Sequence, residues 1–168
     1  MVKINASGRL IYATYLGGDQ YDVATAIAVD ASGNAFVAGF TTSTNFPLTA
    51  NRLPDDSLAD GFAAKLNPSG SGLVYSTRLP GFGGSSAIVV DRSGQAHIAG
   101  SVRGRGLPVT PGAIQIQLRG AGGYGSAAVL KLGSRGDQLL FATYLGGSRE
   151  DDILGSAGGC QVYSCLFV

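Results

Sequence analysis

Any histidine-dependent chemistry in this chain of 168 residues would have to pass through His97, its single histidine. A serine–histidine–aspartate or cysteine–histidine arrangement needs that ring beside a nucleophile. No Gly-x-Ser-x-Gly turn presents a serine. His97 takes the place that Phe36 holds in an earlier, similar stretch, inside an apolar run that predicts a strand, so a structural role is expected for it. Cys160 and Cys165 are the two cysteines. With one distant histidine they fall short of the roughly four ligands of a zinc site, and a disulfide across so short a loop would be strained. The run Gly120-Ala121-Gly122-Gly123-Tyr124-Gly125 satisfies a dinucleotide-binding pattern in letters, but it leads into a predicted strand and not a helix, so a loop is expected. No catalytic residue, metal ligand or cofactor is expected.

The remaining polar candidates lie in predicted loops. Asp55, Asp56 and Asp60 cluster in one long loop without the Asp-x-Asp-x-Asp-Gly spacing of a calcium site. Hydrated acidic loops are common. The equivalent loop of the next repeat unit carries Arg103, Arg105 and Arg119, and this change of sign argues against one ligand bound alike in both. These six residues are weak candidates for binding. Tyr12, Tyr75 and Phe141 recur at one strand position; they would suit a sugar-binding platform, but packing between repeat units is the expectation.

Composition narrows the class of protein. Charged residues make up 14% of the chain and its net charge is +1, so no excess of cations is available for a phosphate backbone and no nucleic-acid partner is expected. No apolar run approaches the roughly 18 residues of a membrane span, so membrane insertion is not expected. Residues 1–20 lack the basic start and apolar stretch of a signal peptide. The 27 glycines disfavour helices, and the low charge disfavours disorder. An all-β domain is the reading left.

An internal repeat supplies the architecture. The run Val29-Asp30-Ala31-Ser32-Gly33-Asn34-Ala35-Phe36-Val37-Ala38-Gly39 returns as Val90-Asp91-Arg92-Ser93-Gly94-Gln95-Ala96-His97-Ile98-Ala99-Gly100, 61 residues later. A second block occurs three times, opening at Lys3, Lys65 and Lys131, turning at Gly8, Gly70 and Gly136, and closing on Tyr12-Ala13-Thr14, Tyr75-Ser76-Thr77 and Phe141-Ala142-Thr143. A third echo joins Phe46-Pro47-Leu48-Thr49 to Leu107-Pro108-Val109-Thr110. Each unit holds four strand-like runs. The first, Ala26–Val29 or Ala87–Val90, is continuously apolar, as for a strand covered on both faces. Asp30 and Asp91 should cap the turn that follows, with Gly33 and Gly94 supplying positive φ. Second strands are predicted at Ala35–Phe40 and Ala96–Val102, and third strands at Phe62–Leu66 and Ala127–Leu132.

Four antiparallel strands repeated at about 60 residues predict tandem blades of a β-propeller. Residues 1–18 read as a half blade of third and fourth strands, 19–79 and 80–147 as full blades, and 148–168 as an atypical or out-of-register tail. Short turns should lie at one end of each blade and long loops at the other, where a ligand would be sought. Two full blades and a half make an incomplete ring, because about four blades are needed for closure. Exposed blade faces and open edges then predict self-association, or completion by further blades of a parent chain.

The run Ala64-Lys65-Leu66-Asn67-Pro68-Ser69-Gly70 through Tyr75-Ser76-Thr77, with Tyr15-Leu16-Gly17-Gly18, Ala26-Ile27-Ala28-Val29-Asp30 and the Phe46-Pro47 element, resembles the bacterial SBBP family of propeller repeats over about residues 2–154. The resemblance implies a secreted or cell-surface bacterial protein with many blades and no assigned activity. It carries no catalytic motif. A non-catalytic scaffold acting in ligand binding or adhesion, toward carbohydrate or a surface protein, is therefore expected. The alternative is an accessory portion of a secreted carbohydrate-active or other hydrolytic enzyme whose active site lies outside this chain. Arg78-Leu79-Pro80-Gly81 departs from the Tyr-Leu-Gly-Gly of residues 15–18 and 144–147, so an irregular link to the next blade is expected there, with the blade itself intact.

After Gly147 the repeat predicts an aspartate at position 159, where the chain has Gly159 within Gly158-Gly159-Cys160. Codons for those three residues, read one nucleotide later, can spell Val-Asp-Ala. The tail is thus expected to be a frameshifted repeat, with an irregular terminal unit as the other reading.

Overall fold

The structure, a computed structural model, describes residues 1–54, 60–102, 106–118 and 126–147. Ten strands and no helix make up the regular structure among the described residues. β1 (Val2–Ile4) and β2 (Leu10–Ala13) form a two-stranded sheet. β3 (Asp22–Val29), β4 (Ala35–Thr41), β5 (Gly61–Leu66) and β6 (Leu73–Arg78) form a four-stranded meander in chain order. β7 (Phe82–Val90), β8 (Ala96–Val102), β9 (Ser126–Leu132) and β10 (Leu139–Leu145) form a second one of the same order. All neighbouring strands are antiparallel.

The first strands run longer than the apolar pattern predicts, because each continues through a bulge, between Ala24 and Ala26 in β3 and between Ser85 and Ala87 in β7. The bulge explains the glycine that closes the eleven-residue repeat. A β-carbon on Gly39 would collide with the Val23 carbonyl, and one on Gly100 with the Gly84 carbonyl. Only glycine lets the second strand lie against this carbonyl of the first, two residues before the bulged one.

The tight turns follow the sequence. Asp30 Oδ1 accepts hydrogen bonds from the Ser32 and Asn34 N–H groups at 3.0 and 2.9 Å. Asp91 Oδ1 does the same with Ser93 and Gln95 at 2.9 and 3.0 Å. Gly33 and Gly94 close these turns at φ of 82° and 71°. The carboxylate thus satisfies N–H groups that the hairpin ladder leaves over. The link at residues 78–82 is a β-turn, with the Phe82 N–H donating to the Leu79 carbonyl at 3.0 Å. Pro80 and Gly81, the latter at φ 77°, take the two central places that a type II turn gives to proline and glycine.

The long connections differ from the expectation that they would simply decorate one end of each sheet. They fold back along the outermost strand. The Thr49 N–H donates to the Ser76 carbonyl at 3.1 Å, and Thr49 Oγ1 accepts from the Ser76 N–H at 2.9 Å. Thr110 treats Ala142 identically, at 3.2 and 2.9 Å. The third sequence echo therefore ends on a threonine that occupies backbone groups of β6 or β10 which an outer strand would otherwise leave open, a common means of blunting an edge.

The main core lies between the two four-stranded sheets, where Phe36, Tyr75, Phe82, Ile98, Leu130 and Leu132 are fully enclosed. A smaller core holds Val37, Phe46, Phe62, Ala64 and Leu66, with Met1 and Leu16 packed against it from the side of the two-stranded sheet.

Candidate functional site

The polar residues that recur from sheet to sheet converge on the short-turn end. Asp30 Oδ2 lies 3.6 Å from Lys65 Nζ, and Asp91 Oδ2 lies 3.0 Å from Lys131 Nζ. Each pair joins the first turn of a sheet to the third strand of the same sheet. The lysines open the thrice-repeated block, and strand register places Lys65 opposite Phe36 and Lys131 opposite His97. Lys65 Nζ also sits 4.7 Å from the centre of the Phe36 ring, a cation–π contact. At the equivalent place the second sheet has His97, whose Nε2 is 3.3 Å from Asp91 Oδ2. His97 is thus a strand residue drawn to the turn carboxylate.

Partial burial works against charge on Asp91. It is outweighed by the Gln95 N–H, Lys131, His97 and the Ser93 N–H, which hold its carboxyl at about 2. Asp30 is lowered too, where burial is again outweighed, here by Asn34, the Lys65 ammonium and the Ser32 N–H. These carboxylates are occupied in holding turns. The cleft between them is bordered by Ser32, Lys65, Arg92 and Ser93, and of its lining Asp30, Asp91 and Lys65 are paired within the chain.

A second cleft, of about 510 Å³, opens where the folded-back connections of the two four-stranded sheets approach one another. Leu53 and Pro54 come from one connection, Pro108 from the other, Pro80 from the link and Leu139 from the start of β10. Asp137 and Gln138 add polar groups at one margin. Pro54 and Pro108 are exposed, and the described lining holds aliphatic side chains and no aromatic ring.

The aromatic series of the fourth strands turns inward to the stack. A β-carbon on Gly70 would meet the Tyr12 ring, and one on Gly136 would meet the Tyr75 ring. Each tyrosine therefore lies under the glycine of the third turn in the following sheet. Tyr75 is wholly buried there, which pushes its phenol far above the ordinary range. Packing, and not a ligand platform, is what Tyr12 and Tyr75 do.

Of the six loop candidates, only Asp60 falls among the described residues, just before β5, where its carbonyl accepts from the Thr41 N–H at 2.7 Å. Asp55, Asp56, Arg103, Arg105 and Arg119 lie outside the described residues, as do Cys160, Cys165 and the glycine run of residues 120–125. Among the described residues, no group of three or more His, Cys, Asp or Glu side chains could hold a metal ion. The lysine–aspartate pairs were missed in the sequence. Their signal was a lysine opening each copy of the second repeated block, next to the glycine turn that leads into the fourth strand.

Comparison with known proteins gives one family. Residues 11–47 match the family model of the SBBP beta-propeller repeat, a span from β2 through β4 to the Phe46-Pro47 element. No curated protein matches the chain.

Proposed function

Residues 11–47 carry an SBBP beta-propeller repeat, and we propose that the chain is a non-catalytic scaffold whose four-stranded sheets are propeller blades, from a secreted or cell-surface bacterial protein that binds a ligand or takes part in adhesion. The observation that carries the scaffold reading is the repeated join between sheets, Tyr12 under Gly70 and Tyr75 under Gly136. The recurring polar residues are likewise committed to turns, through Asp30–Lys65 and Asp91–Lys131. The ligand site in this reading is the cleft of Leu53, Pro54, Pro80, Pro108 and Leu139. Its aliphatic lining favours a side chain of a surface protein over a sugar, because sugars stack on aromatic faces and none is present among the described lining residues.

The test compares the chain with a Pro54→Glu, Pro108→Glu double variant on a glycan array and on purified bacterial envelope proteins. Binding to an envelope protein that the double variant loses supports the reading. Glycan binding that survives the substitutions contradicts the choice of ligand. Hydrolysis of chromogenic ester or glycoside substrates that disappears in His97→Ala would overturn the non-catalytic assignment.

A further inference from the structure

The cleft of about 390 Å³ between the two first turns has an imbalance of hydrogen-bonding groups. Its carboxylate acceptors are filled. Asp30 Oδ1 accepts from the Ser32 and Asn34 N–H groups, and Asp30 Oδ2 accepts from Asn34 Nδ2 at 2.8 Å. Asp91 Oδ1 accepts from the Ser93 and Gln95 N–H groups, and Asp91 Oδ2 takes Lys131 Nζ at 3.0 Å and faces His97.

The side-chain donors are not filled. Lys65 Nζ stands 3.6 Å from Asp30 Oδ2, beyond ordinary hydrogen-bond length, although its side chain is only 12% exposed. It also lies 3.8 Å from where a β-carbon on Gly94 would be, so the ammonium sits at the junction of the two turns. Among the described residues, the Arg92 guanidinium has no ion pair, and the Ser32 and Ser93 hydroxyls have no hydrogen-bond partner. Arg92 departs from the repeat, since Ala31 holds its place in the first turn. Asp30 is matched by Lys65 and Asp91 by Lys131, which leaves the charge of Arg92 uncompensated at the cleft. An enclosed ammonium short of acceptors, beside an unmatched guanidinium, calls for an anionic acceptor. Ala31 and Val90 add aliphatic surface at the same place, and the described lining offers no aromatic ring on which a sugar would stack.

We infer that this cleft is a second binding site, which takes the carboxylate of an aspartate or glutamate side chain on a partner polypeptide. Arg92 holds the carboxylate through its forked N–H groups, and Lys65 donates to it from the more enclosed side. The Ser32 and Ser93 hydroxyls flank it, and the methylenes of the incoming side chain rest on Ala31 and Val90. A monoanion neutralises the charge that Arg92 leaves over, and it fills donors that the turn carboxylates do not reach. None of these residues lines the aliphatic cleft of Leu53 and Pro108, so failure here would leave that assignment untouched.

The test follows backbone amide shifts of the nitrogen-15-labelled full chain at constant ionic strength. The probes are N-acetylglutamate α-amide, its neutral glutamine counterpart, glucuronate and inorganic phosphate. The expected result is saturable shifts at Ser32, Arg92, Ser93 and Gly94 with the glutamate probe, and binding of the glutamine probe weaker by about tenfold or more. Arg92→Ala gives the second turn the residue that the first already carries, so the fold should be kept while binding weakens by about tenfold or more. Arg135→Ala, at an exposed arginine outside the cleft, should leave binding unchanged. Equal binding of the glutamine probe, or binding that Arg92→Ala leaves intact, would overturn the inference. So would the lack of saturable shifts up to about 50 mM glutamate probe. Tighter binding of glucuronate or phosphate would overturn it as well, because the ligand would then be an acidic sugar or a phosphate group.

Discussion

The ring of Tyr75 lies beneath Gly136, in the space a β-carbon at that position would need. The two residues belong to successive four-stranded sheets, and Tyr12 with Gly70 repeats the relationship one sheet earlier. Glycine is required twice over at position 136, since its φ of 75° is also one that other residues rarely adopt.

Gly136→Ala should therefore destabilise the chain by about 2–4 kcal/mol, combining the cost of positive φ with overpacking against a buried ring. Tyr75→Ala should cost about 3–5 kcal/mol through the cavity it leaves. Tyr75→Phe should be neutral or stabilising, because the Tyr75 hydroxyl is buried without a hydrogen-bond partner among the described residues and Phe141 already serves at the equivalent place. Urea denaturation of the three variants checks this ordering.

Gly39→Ala and Gly100→Ala should each destabilise by more than about 3 kcal/mol, since backbone carbonyls of Val23 and Gly84 stand where the new methyl would go. Glycine at Gly112 makes a contrast. Its φ is 85°, but a β-carbon there meets nothing within 4 Å among the described residues, so Gly112→Ala should cost only about 1 kcal/mol. Thermal melts of the three variants separate the two situations.

Thr110→Val keeps the backbone bond to the Ala142 carbonyl but removes the hydroxyl that accepts from the Ala142 N–H. An expected loss of about 1–3 kcal/mol follows from the unpaired donor. Faster hydrogen exchange at Ala142, with little change in β7 and β8, would show that the effect is confined to the covered edge. Thr49→Val should do the same at Ser76.

Acid should weaken the first turns. The Asp91 carboxyl titrates at about 2 in the folded chain, below its ordinary value of 3.8, and Asp30 is lowered as well. A depressed carboxylate contributes its full stabilisation above the unfolded value, and that contribution is lost as pH falls through the folded one. Unfolding midpoints should thus drop between about pH 4 and pH 2. The drop should be smaller in an Asp30→Asn, Asp91→Asn double variant, which should also be less stable at neutral pH.

The strands and tight turns were legible because their causes are local. Asp30 and Gly33 sit within one hairpin and specify it through side-chain capping and positive φ. The role of Gly39 was not legible, since the approach of the Val23 carbonyl that excludes a side chain is a feature of strand pairing beside a bulge. The echo ending in Thr49 and Thr110 could be seen in the sequence but not interpreted, because a loop that folds along an outer strand has no period to detect. Ile27 and Ile88 look alike in sequence and differ in burial only through what packs on them, which no local pattern records. Lys65 and Lys131 were visible as markers of a block, and their pairing with Asp30 and Asp91 emerged only when strand register brought them to the same end of the sheet.

Successive sheets are thus repeat units stacked through the fourth-strand aromatic and the next glycine turn. Proton NMR tests it directly, by nuclear Overhauser contacts and ring-current shifts at the glycine α-protons. Cross-peaks from the Tyr75 ring to Gly136 and from the Tyr12 ring to Gly70, with upfield-shifted α-protons at both glycines, are the predicted result. Ordinary shifts at Gly136 with no cross-peak to Tyr75 would contradict this stacking.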